Sequence, residues 1–230
     1  MKSIPVKNSS IKIYLFLVAF SLVGSLISHY NHTNPTGIAH PTALLTLAIG
    51  CLAAFQPTWR VQGAKTLWAL GVVWFIGALA ELVGLSTGFP FGRYRYTDQW
   101  WPVVHLPGVG AFPLQLPFAW VLVLGSSYLL VAPRLQGWAI VVAAALAMLV
   151  DQVMEPTMTR SLGYWKWIDT GPLAGRSPIW NAVGWFLVSM VAAYSLRLML
   201  GKNLTQTYTP GIVLLAHVGL VLGLGWISVA

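Results

Sequence analysis

Long apolar runs decide what this chain can be. About residues 11 to 28, 42 to 56, 67 to 87, 114 to 132, 138 to 156, 179 to 199 and 211 to 229 are almost free of charge. A helix satisfies its own backbone polar groups, so ~18 or more apolar residues can cross a hydrocarbon layer roughly 30 Å thick. The fold class expected is all-α: a polytopic membrane bundle of about seven transmembrane helices forming a single domain over residues 1–230. The second run is the shortest. Of all residues, 57% are hydrophobic and 8% charged, where a soluble domain would be about a quarter charged. Water is not the main solvent of such a chain.

The formal charge of +8 raises the question of nucleic acid, but the basic residues stand singly near the ends of apolar runs. They read as topology signals and lipid headgroup contacts, with no nucleic-acid partner. An N-terminus inside collects Lys2, Lys7, Lys12, Arg60, Lys65, Arg134, Arg197 and Lys202 on the cytoplasmic side, as the positive-inside rule requires. The expected location is the cell inner (plasma) membrane, multi-pass, with a cytoplasmic N-terminus. No small-residue cleavage pattern follows the first run in Ser25 to Thr33, so it is expected to be a retained helix. The lone cysteine, Cys51, excludes a disulfide framework within one chain and is most simply packing.

The loops after the third and fifth runs carry the other basic residues and one shared pattern. Gly92-Arg93-Tyr94-Arg95-Tyr96-Thr97-Asp98 matches Gly163-Tyr164-Trp165-Lys166-Trp167-Ile168-Asp169: Gly, any, aromatic, basic, aromatic, any, Asp. Each copy follows a run with an acid near its end, Glu81 or Glu155, and leads to a helix begun by proline, Pro117 or Pro178. This is a candidate internal repeat with bodies at about 67–132 and 138–199. Repeats in membrane proteins place sites at their interface, where non-helical backbone can line a cavity. An interfacial belt of Trp and Tyr would not require a shared pattern ending in Asp.

The acidic residues are Glu81, Asp98, Asp151, Glu155 and Asp169. Glu81, Asp151 and Glu155 fall within predicted spans, where an ionised carboxylate costs several kcal/mol and must face a partner or water. Asp151 and Glu155 are spaced i, i+4 and project from one helix face just before Pro156. Glu81 lies at similar depth, so the three carboxyls can meet beneath both motif loops. Two carboxyls close together in a poor dielectric cannot both ionise easily; one then holds its proton, setting a general acid beside a general base. Alternatively, these acids tie helices together or pair with Arg93, Arg95 or Lys166. For Asp98 and Asp169 that reading weighs as much as catalysis.

Tyr94, Tyr96, Trp165 and Trp167 offer π faces that stabilise a cation and pack on extended polyenes. Asn181, in the first turn after Pro178, can hold a water or cap its helix. His29 and His32 resemble part of a histidine box, but a diiron oxygenase needs more than the five histidines here, and no metal is expected. His217 reads as a packed residue. A retinal protein is excluded because the last run contains no lysine for a Schiff base.

Several motifs together carry a resemblance: Glu81-Leu-Val-Gly84, Gly88-Phe-Pro-Phe-Gly92-Arg-Tyr94-Arg-Tyr96, Leu116-Pro-Phe-Ala-Trp120, Asp151-x-x-x-Glu155-Pro156, Gly163-Tyr-Trp165-Lys-Trp167 and Asn181-x-x-Gly184-Trp185. Over about residues 67 to 190 the chain resembles the membrane-bound acyclic carotenoid hydratases of the carotenoid biosynthesis family. That family includes bisanhydrobacterioruberin hydratase and the γ-carotene hydratases. The resemblance implies hydration of the terminal isopropylidene double bond of a carotenoid to a tertiary alcohol, with no metal or redox cofactor. A carboxylic acid would protonate the alkene, and a tertiary cation would form among the aromatics, Trp120 and Trp185 included. A water held by a second carboxylate would then attack. On position and chemistry, Asp151 with Glu155 is the first choice of acid and base, then Glu81, with Asp98 and Asp169 orienting or in reserve. Arg93 and Lys166 would hold those acids. The short hydrophilic lead leaves a forty- or fifty-carbon substrate open. Expected partners are the carotenoid, the lipid bilayer and other enzymes of the pathway.

Three alternatives stand beside this reading. A membrane carotenoid cyclase begins with the same protonation, a proton-coupled transporter would use the acids as a relay, and a carotenoid-binding scaffold would turn nothing over.

Overall fold

The computed structural model of the protein describes residues 9–201 and 204–229; Lys2, Lys7 and Lys202 lie outside the described residues. The order is α1 (Ser9–Tyr30), α2 (Thr36–Gln62), α3 (Ala64–Thr87), β1 (Tyr94–Tyr96), β2 (Val103–Leu106), β3 (Gly110–Pro113) and α4 (Leu116–Trp120). A π-helical turn, Val121–Gly125, joins α4 to α5 (Ser126–Leu135). Then come α6 (Ala139–Pro156), a second π-helical turn Thr157–Ser161, β4 (Trp165–Trp167), α7 (Ile179–Leu200) and α8 (Thr209–Ile227).

Among the described residues, six helical stretches are long and apolar enough to cross a membrane, and the longest, Leu116–Ser161, has 46 residues. Straight, it would measure ~70 Å at 1.5 Å per residue, about twice a hydrocarbon core. It is not straight. Gln136 takes φ 38 and ψ −95, which no helix tolerates, and α5 and α6 fold back against each other. The stretch is therefore a helical hairpin, and the chain is an all-α polytopic membrane protein whose described residues supply about seven helices of crossing length. The second run, short in sequence, becomes the 27-residue α2 with Pro41 and Pro57 inside it. The loops depart from the all-helical expectation by adding two small antiparallel sheets, β1 with β4 and β2 with β3.

Small residues set the helix spacing, as expected where lipid tails are as apolar as the side chains. Ala143, Ala144 and Ala147 of α6, and Ala192 and Ala193 of α7, are buried between well-packed helices. A Cβ on Gly77 would fall 2.6 Å from the Trp120 ring, and one on Gly125 2.6 Å from Phe55. The outer faces carry large apolar side chains such as Phe16, Trp68 and Leu215, which suits hydrocarbon. Helix α1 is peripheral and covers α2 and α8. Inside the bundle, the polar residues Glu81, Asp151, Glu155, Asn181 and His217 are buried. Burying them in a membrane is costly unless they are partnered.

Candidate active site

The two motif copies pair with each other. Strands β1 and β4 run antiparallel in the register Tyr94 with Trp167, Arg95 with Lys166, and Tyr96 with Trp165. Side chains alternate across a strand, so all four aromatics turn inward while Arg95 and Lys166 face out. The backbone bonds flanking this pair are themselves matched. The Ile168 amide donates to the Arg93 carbonyl at 2.9 Å, and the Thr97 amide donates to the Tyr164 carbonyl at 2.9 Å. Motif one also lies hard against the start of α7: a Cβ on Gly92, at φ 92, would sit 2.7 Å from Pro178 Cγ. Glycine is required there on both counts.

Beneath this clasp each copy holds its own acid. The Tyr94 hydroxyl donates to Glu81 Oε2 at 2.5 Å and the Tyr96 hydroxyl at 2.9 Å, while Trp120 Nε1 donates to Glu81 Oε1 at 2.9 Å. Burial and the neighbouring Glu81 carboxyl push both phenols well above their usual range, so they remain O–H donors. In the second copy Trp165 Nε1 donates to Glu155 Oε1 at 3.0 Å and Trp167 Nε1 at 2.5 Å. Glu155 Oε2 is buried with no partner among the described residues. Asp151, one turn earlier on α6, accepts at Oδ2 from Asn181 Nδ2 at 2.9 Å and Gln152 Nε2 at 3.0 Å. Indole and phenol donors thus compensate carboxyls that would otherwise be unaffordable at this depth.

The three acids line one cavity of about 100 Å³, bounded chiefly by apolar and aromatic side chains. That is several times the ~30 Å³ a water occupies. Of the residues expected from sequence, Glu81, Asp151, Glu155, Tyr94, Tyr96, Trp120, Trp165, Trp167, Asn181 and Trp185 all line it. Trp120 and Trp185 stack at 3.9 Å and 13°, presenting a broad π surface.

The remaining four lie elsewhere. Asp169 is on the loop surface, accepting from Arg93 Nη2 at 2.8 Å, Arg93 Nε at 3.0 Å and the Arg93 amide at 2.9 Å. These hydrogen bonds hold its carboxyl below the usual carboxylate range. Asp98 is exposed and pairs with His105 at 3.1 Å. Lys166 stands outside, opposite Arg95. Arg93 therefore holds an acid, but one that fastens the clasp and does not border the cavity.

Other lining residues carried little signal in the sequence. Trp100 stacks on Tyr164 at 5.2 Å in the cavity lining, and Gln115, just before Pro117, bonds the Trp101 carbonyl through its amide. His217 of α8 lines the cavity with Nδ1 buried and without a partner among the described residues. Its isolation in an apolar run made it read as packing.

Comparison with known proteins places this arrangement. The family model described as carotenoid biosynthesis protein matches residues 42–230. Bisanhydrobacterioruberin hydratase from Haloarcula japonica is 31% identical over 135 residues, which are 56% of this chain and 41% of the relative. The chain thus spans less than half of that relative's length. No solved structure matches it. With the match running from α2 through α8 and covering all the residues around the cavity, the chain belongs to the carotenoid biosynthesis protein family.

Proposed function

We propose that this protein is a carotenoid hydratase, adding water across the terminal isopropylidene C=C of an acyclic carotenoid end group to give a tertiary alcohol. The observation that supports this most directly is the convergence of Glu81, Asp151 and Glu155 on one apolar, aromatic-lined cavity. Protonating an unactivated alkene needs a carboxylic acid in a place from which bulk water is kept away. The tertiary cation that results has no counter-ion of its own. Stacked indoles and nearby carboxylates lower its energy through their π faces and negative charge.

The cavity's apolar, aromatic lining suits an isoprenoid tip, leaving the rest of a long polyene outside it. The name of the Haloarcula japonica relative points to the same reaction. The partners follow from the chemistry: a carotenoid, the bilayer that dissolves it, and the enzymes that make and consume it.

The test is to express the protein in cells that accumulate lycopene, then to repeat the reaction with purified protein in isotopically labelled water. The expected product is heavier by one water, with the label in a tertiary hydroxyl. A product of unchanged mass and shortened chromophore would make the protein a cyclase. Unaltered pigment would remove the enzymatic reading altogether.

A further inference from the structure

The three buried carboxyls are not equivalent, and their partners assign them different work. Resting on the hydratase reading, we infer that Glu155 delivers the proton through Oε2, that Asp151 takes the proton from the attacking water, and that Glu81 is a fixed carboxylate facing the cation.

The argument is an inventory of donors and acceptors. Glu81 accepts three hydrogen bonds, two at Oε2 and one at Oε1. Three donors supply most of what an ionised carboxylate can accept, so Glu81 is the best compensated of the three acids as an anion. Glu155 concentrates two indole N–H groups on Oε1 and leaves Oε2 buried with no partner among the described residues. Such an oxygen can carry the transferable O–H, because neither indole donor engages it. Gly175 closes the other side: a Cβ there would lie 2.7 Å from Glu155 Cγ. Glu155 is thus pinned between its indoles and the 174–176 turn, with one oxygen uncommitted.

Asp151 differs again. Its Oδ2 is held by Asn181 and Gln152, and the residue lines the cavity. The Asn181 amide and the Asp151 carboxylate together fix a polar corner of the cavity. The helix spacing of i, i+4 keeps that corner on the same face as Glu155.

The steps balance. The alkene π pair takes the Oε2 proton of Glu155, forming a C–H bond and a tertiary cation and leaving Glu155 a carboxylate. A water oxygen lone pair forms the C–O bond, and the oxonium proton passes to Asp151. Return of that proton from Asp151 to Glu155 restores the site, so the sum is alkene plus water to alcohol.

The experiment uses the full-length protein in lipid with lycopene in deuterium oxide, reading two quantities: alcohol formed, and deuterium entering the end-group carbons of recovered lycopene. Cation formation followed by proton loss back to Glu155 exchanges those carbons without hydration. Glu155→Gln should lose both readouts by about 10²–10⁴-fold, the usual worth of a general acid. Its carbonyl oxygen still accepts from Trp165 and Trp167, and the wild-type tryptophan fluorescence melt should be kept. Asp151→Asn should lose alcohol formation while deuterium exchange continues, and Glu155→Asp should recover part of both.

Exchange that survives in Glu155→Gln would overturn the assignment, as would a folded Asp151→Asn that loses exchange together with hydration. If either variant fails to keep the wild-type melt, Glu155→Asp decides: recovery of exchange supports the assignment and none refutes it. Wild-type protein that forms no alcohol would instead overturn the hydratase reading on which the assignment stands.

Discussion

The cage around Glu81 makes a quantitative prediction with a built-in change of sign. Tyr94→Phe removes one hydroxyl and keeps the ring that packs on Phe91, Tyr96 and Trp167. The lost bond is short, 2.5 Å, and lies between two buried side chains. A hydrogen bond to a charged group contributes about 1.5–3 kcal/mol to stability. Tyr94→Phe should therefore lower the unfolding free energy by that amount, measured by reversible denaturant titration in micelles with tryptophan fluorescence.

The same substitution behaves differently once the acceptor is gone. In a Glu81→Met background the Tyr94 hydroxyl is a buried donor without its partner, and an orphaned buried polar group itself costs about 1–3 kcal/mol. Adding Tyr94→Phe there should be neutral or stabilising. The double-mutant cycle then gives a coupling of about 1.5 kcal/mol or more. Equal losses in the two backgrounds, or a wild-type loss under about 0.5 kcal/mol, would refute the claim that the phenols exist to hold Glu81.

Four further perturbations probe the same architecture. Gly84→Ala places a Cβ 2.8 Å from the Tyr94 hydroxyl oxygen and 2.8 Å from Phe91 Cδ2; it should cost about 1–3 kcal/mol and reduce turnover. Gly71→Ala, in the same helix with nothing within 4 Å, should be neutral or stabilise by up to ~1 kcal/mol. Gly175→Ala, at φ 66 and 2.7 Å from Glu155 Cγ, should abolish turnover while shifting the melt modestly, because it displaces the acid rather than the helices. Asp169 is held below its ordinary range by Arg93, so its contribution is complete above the usual carboxylate pKa of ~3.9 and is lost as pH falls through the lowered folded value. The small, salt-sensitive stability gap between wild type and Asp169→Asn should stay level from neutral pH to about pH 5 and close below about pH 4.

Helices were legible in the sequence because the hydrocarbon layer imposes one length and one polarity on every crossing. The α2 ends escaped because Thr36, Pro57, Trp59 and Arg60 end the apolar run while the backbone stays helical. The small sheets escaped for another reason: β1 pairs with a strand some seventy residues away, and no local pattern of three residues specifies that. In the site, the acids within helices were placed correctly beneath the loops by depth alone. Asp98 and Asp169 share the motif but not the cavity, since each lies beyond its three-residue strand, where the inward alternation has ended. His217 and Gln115 were silent because nothing about a single polar residue at the end or middle of an apolar run says which way it faces.

What the two motif copies retain and what they have lost fits a reaction that adds two different things to one bond. Matched backbone bonds to Arg93 and Tyr164, paired strands, and an acid under each aromatic pair are symmetric devices, and symmetry is enough to build a buried, partnered cavity. Hydration is not symmetric: the proton and the water arrive from separate groups. One turn before Glu81 the first copy has Gly77, packed on Trp120; one turn before Glu155 the second has Asp151, bonded to Asn181. Trp120 and Asn181 occupy the same place, three residues after Pro117 and Pro178. At the same position one copy has the Trp120 indole and the other the Asn181 amide; on the hydratase reading proposed above, the first would face the cation and the second hold the water. A membrane enzyme that only needed to bind a polyene would have had no use for that difference, because a second apolar contact in place of Asp151 and Asn181 would cost less at this depth.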